Sequence, residues 1–334
     1  MERRTFIRST LTRGAVLGAA AGLSGAQAVS AKQGNPNFYR ELEIERDRPG
    51  KPHKGKVLAV IQAHADDVPI LCGGLVAKLI KEGYTGYLIR TTNEDKSSGG
   101  TVGEAVVEID NDHENLAKVL GIKQVINLDY CKHDLDDAAV IELRARFIFL
   151  FRALRVDTVI SFDPHAQYDK NSDHYVTAKA VEMACWARTS KDYPEHIKAG
   201  IIGVGIREKY FYAVGVQLVN RIVDISSVID IKAQSNLANA TWGPASRSPG
   251  VRLRERLAKE NIKLPMLEGS DRQADENWVK EIILKCEHEL GKQFGLEYAE
   301  AYMYQGPGID YVPAYIPTGL VEDELVKEHG VPLR

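Results

Sequence analysis

Two short stretches of the 334-residue chain carry the side chains most able to do chemistry. Ala63-His64-Ala65-Asp66-Asp67 follows the apolar run 57–61, and Asp163-Pro164-His165 and Asn171-Ser172-Asp173-His174 follow a second apolar run, 156–162. A histidine and two carboxylates at the end of a buried strand are costly to desolvate, and a divalent cation compensates all of them at once. His64, Asp67 and His174 together offer two imidazoles and one carboxylate, leaving a coordination position for water. That donor set is typical of catalytic zinc, whereas structural zinc is usually closed by cysteines. Asp67 has a second reading as the cap of a following helix, and so has Asp173.

Those loops share a site only if neighbouring strands deliver them. The sequence predicts strands at 57–63, 85–91, 123–128 and 156–162, alternating with helices at 70–82, 103–120, 139–155 and 174–188, with Gly83 and Gly121 as stops. This alternation implies a Rossmann-like three-layer α/β sandwich, a mostly parallel sheet with helices on both faces. Ligands of such sheets bind beyond the carboxyl ends of the strands, where both polar clusters fall. The remainder reads as strands 209–214 and 221–225, a helix over 226–240, a proline-bearing surface excursion over 242–267, and a helix over 275–294. A catalytic domain is expected over 57–305.

The ends read differently. Glu2-Arg3-Arg4-Thr5-Phe6-Ile7-Arg8 leads into an Ala/Gly-rich stretch ending in Ala26-Gln27-Ala28, which resembles a twin-arginine export signal with its cleavage site. Residues 1–31 are therefore assigned to a signal peptide, 32–56 to a surface leader and 306–334 to a proline-rich tail packed on the domain. The expected route is the Tat translocase, to the periplasm or the exterior. The apolar stretch is short and weakly hydrophobic for a membrane span. Losing residues 1–31 removes four arginines and one glutamate and moves the formal charge from -3 to -6, which argues against a nucleic-acid partner. Cys72, Cys131, Cys185 and Cys286 are far apart with no C-x-x-C pair, which excludes a zinc ribbon or redox motif; most read as small core residues, and an exported protein could also pair some of them.

Four motifs in order resemble the zinc-dependent deacetylase family called PIG-L or LmbE-like: Ala63-His64-Ala65-Asp66-Asp67 for its A-H-P-D-D, Gly73-Gly74 for its glycine pair, Asn171-Ser172-Asp173-His174 for its H-P-D-H, and Tyr298-Ala299-Glu300-Ala301-Tyr302 for its Y-A-E-A-F. The resemblance spans roughly residues 57–303. It implies one Zn2+ per chain held by His64, Asp67 and His174, Asp66 as general base, Asp173 as an orienting group, and an N-acylated sugar or glycan as substrate. The chemistry is coherent without the family. A zinc-bound water has a pKa near 7, and an adjacent carboxylate can take its remaining proton during attack on an amide.

The departures are Ala65 for proline, Val68 for a carboxylate, and Asn171 for the first histidine of H-P-D-H. That histidine helps stabilise an oxyanion in the family, so its role here is vacant or has moved, with His165 as the nearest candidate and Tyr168 as another. Residues 93–100 follow the second strand and are candidates for a substrate rim. His133 reads as a surface or supporting group, while His113, His196, His288, His329 and the Tyr298–Tyr302 stretch read as packing or solvated positions. A dinucleotide oxidoreductase is excluded by the missing glycine fingerprint and by the acidic first turn. His64-Ala65-Asp66 with His174 also matches the H-x-D…H triad of non-haem iron oxygenases, but those resemble jelly rolls rather than alternating α/β chains. A non-catalytic metal- or sugar-binding protein is the other alternative.

Overall fold

The computed structural model describes residues 42–97, 100–186, 192–203 and 205–306. The expected signal peptide, the leader up to residue 41 and the tail from residue 307 lie outside the described residues. Eight strands form one sheet: β1 (Glu43–Glu45), β2 (Val57–Gln62), β3 (Thr85–Thr92), β4 (Gln124–Tyr130), β5 (Thr158–Phe162), β6 (Glu208–Tyr212), β7 (Arg221–Asp224) and β8 (Ala299–Gln305). Their spatial order is β1-β7-β8-β6-β5-β2-β3-β4. Every neighbouring pair is parallel except those of β8 with β6 and β7, which are antiparallel. The chain leaves β2 for β3 on one side and returns to β5 on the other, so the topological switch point lies between β2 and β5.

Both faces of the central strands are dry. Leu58, Val60 and Leu88 pack into one apolar cluster with residues of the helices α2 (Gly73–Lys81) and α3 (Val102–Leu120). Ala59, Ile61 and Ile89, one residue out of phase, pack into another with α4 (Val140–Leu154) and α5 (Ser172–Trp186). That alternation makes β2 a continuous apolar run in sequence. A capping box of Thr101 and Glu104 starts α3, and Gly121 at φ 73° stops it. Of the cysteines, Cys72 and Cys185 are buried as expected of core residues, whereas Cys131 and Cys286 are exposed.

The structure departs from the sequence expectations in several places. The helix expected at 70–82 begins earlier and is broken at Cys72 into α1 (Asp67–Leu71) and α2. Residues 43–45 of the leader form β1, an edge strand on β7, with Arg221 bridging Glu43 and Glu45. Beyond the short α6 (Pro194–Lys198) and α7 (Ile229–Ala238), the proline-bearing excursion contains α8 (Pro249–Ala258), because Pro249 stands at the one helical position that tolerates a missing N–H. The last helix is divided into α9 (Asp271–Trp278) and α10 (Lys285–Gln293) by a π-helical stretch, Val279–Ile283.

Residues 298–302, read as packing, do more than pack. β8 alternates with Glu300, Tyr302 and Tyr304 on its buried face. The Glu300 carboxylate accepts the N–H groups of Gly74 (2.9 Å) and Leu75 (2.7 Å) at the start of α2, and also the Tyr302 hydroxyl (2.5 Å) and the Lys232 ammonium (2.5 Å). Burial disfavours a charged Lys232, but Glu300 and Glu287 more than offset it and hold its pKa above the usual lysine value. Gly74 is required for this arrangement: a Cβ there would lie 2.8 Å from Glu300 Oε1 and 2.8 Å from Ile225 Cγ2. Gly74→Ala should therefore destabilise the fold by about 1–3 kcal/mol, seen as a lower urea midpoint; an unchanged midpoint would show that α2 has room to shift.

Candidate metal centre

The turn after β2, the loop between β5 and α5, and the turn after β4 converge beyond the carboxyl ends of the strands. His64 Nδ1 lies 3.0 Å from His174 Nε2, with Asp67 oxygens 3.7 Å from the first nitrogen and 3.5 Å from the second. These three side chains form one of two groups with metal-ligating geometry among the described residues. Asp67 Oδ2 is fixed by the backbone N–H groups of Ala63 (3.0 Å) and His64 (2.7 Å), so its side chain folds back over the strand end. Burial pushes its carboxyl above the usual range, and His64 partly offsets this.

The far side of each imidazole is committed to a carboxylate. His64 Nε2 faces Asp173 Oδ2 at 2.9 Å, and His174 Nδ1 faces Asp169 Oδ2 at 2.9 Å. A carboxylate only accepts, so each outer nitrogen carries the proton, and in the neutral rings both inner nitrogens are lone-pair acceptors. Two lone pairs and a carboxylate directed at one point repel each other, and a divalent cation turns that repulsion into coordination. The donor set therefore fits such an ion, backed by the hydrogen-bonded carboxylates that orient metal-binding histidines. Phe162 stacks on the His174 ring at 4.4 Å and fixes its plane.

Asp173 is a hub rather than a helix cap. Besides His64 it accepts the N–H groups of His133 (2.8 Å) and Leu135 (3.3 Å), which lowers its pKa although burial opposes this. The α5 cap is Asn171, whose Oδ1 accepts the Asp173 N–H at 3.1 Å. Asn171 also lines the cavity over the centre, with its amide NH2 as the end not used in capping.

Asp66 lines the same cavity. Its carboxylate neither caps α1 nor makes a hydrogen bond or ion pair with any described residue. It is thus the uncommitted carboxylate of the pair.

His165 is a correction. The structure does not bring it to this cavity: its imidazole faces Glu182 at 3.1 Å and is 68% exposed. Tyr168 is 81% exposed and also stands apart. The side chain delivered instead is His133, whose ring lies edge-on to His64 at 5.9 Å and lines the cavity. His133 adopts a left-handed φ of 63°, and the bond from its N–H to Asp173 holds that conformation. Its position after β4 was the available signal, and the second metal-ligating group among the described residues is His64, His133 and Asp173.

Sequence reasoning also missed Asp169, Trp242 and the burial of Glu94. Trp242 forms one wall of the cavity, with the Lys132 ammonium 4.9 Å from its ring. Glu94, on the expected rim, accepts the Ala65 N–H at 2.8 Å, and burial pushes its carboxyl to about 7.

Two outcomes follow. Asp169→Ala removes the acceptor that fixes the His174 tautomer and should weaken metal binding by about 10–100-fold in a chelator competition titration; equal affinity would show that Asp169 does not orient the ring. The second concerns His113, which lies close to Glu94. Burial and the Arg90 guanidinium push its imidazole down to about 3. The unfolded chain takes up a proton near pH 6.5 that the folded state refuses, so stability falls as pH drops from 6.5 towards 3, by up to about 1.4 kcal/mol per unit. In His113→Gln the acid-side slope of the denaturation midpoint should be shallower; an identical slope would exclude this site as its source.

The family model "PIG-L: GlcNAc-PI de-N-acetylase" matches residues 59–185. The chain is 25% identical over 140 residues to a protein of Escherichia coli K12 named "Uncharacterized deacetylase YaiS", covering 40% of this chain and 70% of that protein. Solved structures with the same fold include N,N'-diacetylchitobiose deacetylase from Pyrococcus horikoshii (TM-score 0.58, 18% identity, 77% of this chain and 89% of that one). Another is the conserved protein TT1542 from Thermus thermophilus (0.54, 21%, 77% and 97%). The fold is not tied to one reaction, because it is shared by GalB, the 4-carboxy-2-hydroxymuconate hydratase of Pseudomonas putida KT2440 (0.54, 17%, 76% and 98%). The family match thus covers residues 59–185, which carry β2 to α5, and the likeness in fold extends over about three quarters of the chain.

Proposed function

We propose that this chain is an exported zinc-dependent hydrolase that removes N-acetyl or related N-acyl groups from an amino sugar or glycoconjugate. The observation that carries this reading is the convergence of two acceptor nitrogens and one carboxylate on a cavity whose wall also holds the uncommitted Asp66. His64, Asp67 and His174 hold one Zn2+, which when bound polarises the amide carbonyl and makes water acidic enough to react near neutral pH. Asp66 takes the proton of the attacking water and returns it to the amine nitrogen as the C–N bond breaks. Asp173 and Asp169 act through the imidazoles they hold. His133 and the amide NH2 of Asn171 are the donors on the cavity wall suited to a developing oxyanion, the role first given to His165.

The amino-sugar class is supported by the family match and by the diacetylchitobiose deacetylase that shares the fold. Export through the Tat translocase to the periplasm or exterior is supported by Arg3-Arg4 and Ala26-Gln27-Ala28. No helix among the described residues is long and apolar enough to cross a membrane. A second reading, a non-catalytic metal- or sugar-binding protein, is favoured by one observation: the residue in the place of the family histidine is an asparagine used as a helix cap.

An amine-release assay over N-acetylated sugars, with metal analysis of the same samples, separates the two readings. Asp66→Asn should retain zinc and lower kcat at least about 100-fold, and His64→Ala should lose both zinc and turnover. A wild-type rate in Asp66→Asn would remove Asp66 as the base; zinc bound without turnover of any N-acyl sugar would favour the binding protein.

A further inference from the structure

After α7 the chain crosses residues 239–248 before α8, and this stretch is fastened to the metal-centre turn. Asn239 Nδ2 donates to the Ala65 carbonyl at 2.7 Å, while the buried Asp112 of α3 accepts the N–H groups of Ala240 (3.2 Å) and Thr241 (2.8 Å). Gly243, at φ 109°, lies so close that a Cβ there would be 3.1 Å from the Asp66 Cβ. Backbone bonds from Ser246 to Gly243 and from Arg247 to Ala240 close the turn. A second cavity of about 400 Å³ results. Asp66 and Trp242 line both this cavity and the one over the metal centre, whereas Arg247 and Arg252 line only the second.

The charges of this second cavity are unbalanced. Asp66 is the only carboxylate among its lining residues. Neighbouring arginines are paired, Arg254 with Asp271 and Arg272 with Glu276. Neither Arg247 nor Arg252 pairs with a carboxylate among the described residues, and the side-chain contact of Arg252 is a 3.5 Å approach of Nη2 to the Ser246 carbonyl. Arg247 and Ser248 are both held at left-handed φ, 60° and 48°, so the arginine is placed by a constrained backbone. Guanidinium groups match phosphate and carboxylate oxygens through paired N–H donors. Trp242 offers the flat apolar surface between this cation pair and the metal centre.

We propose that this second cavity is a subsite for an anionic substituent of the substrate, a phosphate monoester or a carboxylate, bound by Arg247 and Arg252 while the N-acyl group lies over His64, Asp67 and His174. The substrate class is thus an acidic N-acyl amino sugar rather than a neutral one, a conclusion that rests on the amide-hydrolase reading above. The two exposed arginines predict affinity that weakens with salt.

The test uses the zinc-loaded full chain and three probes: N-acetylglucosamine, N-acetylglucosamine 6-phosphate and N-acetylmuramic acid. Calorimetric binding and amine release are measured for wild type, Arg247→Gln/Arg252→Gln and Arg247→Lys/Arg252→Lys. At least one acidic sugar should bind about tenfold or more tightly than the neutral parent, and which one it is separates phosphate from carboxylate. The glutamine pair should abolish that preference and the lysine pair should reduce it, because lysine keeps the charge without the fork. Equal binding of all three probes by wild type, or a preference that survives the glutamine pair, overturns the subsite. The two readings fail separately. Amine release with no acidic preference removes the subsite alone; an acidic preference lost in the glutamine pair, with no amine released from any probe, removes the hydrolase and leaves the subsite standing.

Discussion

The site depends on the commitment of the outer imidazole nitrogens to carboxylates. Once Asp173 and Asp169 hold the protons on His64 and His174, the inner nitrogens can only accept, and the preference of the centre for a cation is fixed before any ion arrives. Other features serve that constraint. Phe162 sets the plane of one ring, and Asp67 is drawn back over the strand end by two N–H groups so that its second oxygen is turned to the centre. Asp173 also gathers the turn after β4, bringing His133 to the cavity. One carboxylate therefore joins loops that follow three different strands.

A second buried charge system stands behind the first. Glu300 receives the opening N–H groups of α2, a hydroxyl and a lysine, and each donor offsets part of the cost of burying the carboxylate. α2 follows α1 with Cys72 alone between them, and Asp67 is the first residue of α1. The register of α2 thus bears on where the metal-centre turn lies, which links the glycine pair of the sequence to the chemistry by packing. Lys232 extends the link by donating to the Ile70 carbonyl of α1.

Much of this was legible in the sequence, and the limits have physical causes. The run 57–61 and the run 156–162 revealed β2 and β5 because both faces of each strand are buried, and the polar clusters after them met as the parallel topology requires. The general-base role of Asp66 came from the resemblance, whereas the structure separates Asp66 from Asp67 by what each carboxylate touches. His165 was misjudged because closeness in sequence to His174 stood in for closeness in space. His133, reached through a different strand, is the one brought near. Asp169, Trp242 and Arg247 left no periodic signal because they lie on loops, where position is set by backbone bonds such as Asn239 to Ala65 rather than by alternation. β8 was missed because its inward Glu300 breaks the apolar pattern of a buried strand.

The antiparallel β8 also has a consequence for the order in which the molecule can be built. All three candidate ligand side chains and both supporting carboxylates have been synthesised by residue 174, yet the strand that seals β6 and joins it to β7 ends at residue 305. A chain still growing on the ribosome therefore holds every donor of the centre while α2 lacks the carboxylate that anchors its first turn, and β6 presents an unpaired edge. The bonds from Gly74 and Leu75 to Glu300 span 226 and 225 residues, so they close a long loop and cannot form before β8 has been made. The centre matures only when the end of the domain has been made, so a truncated product would carry the ligands without the support that holds their loop.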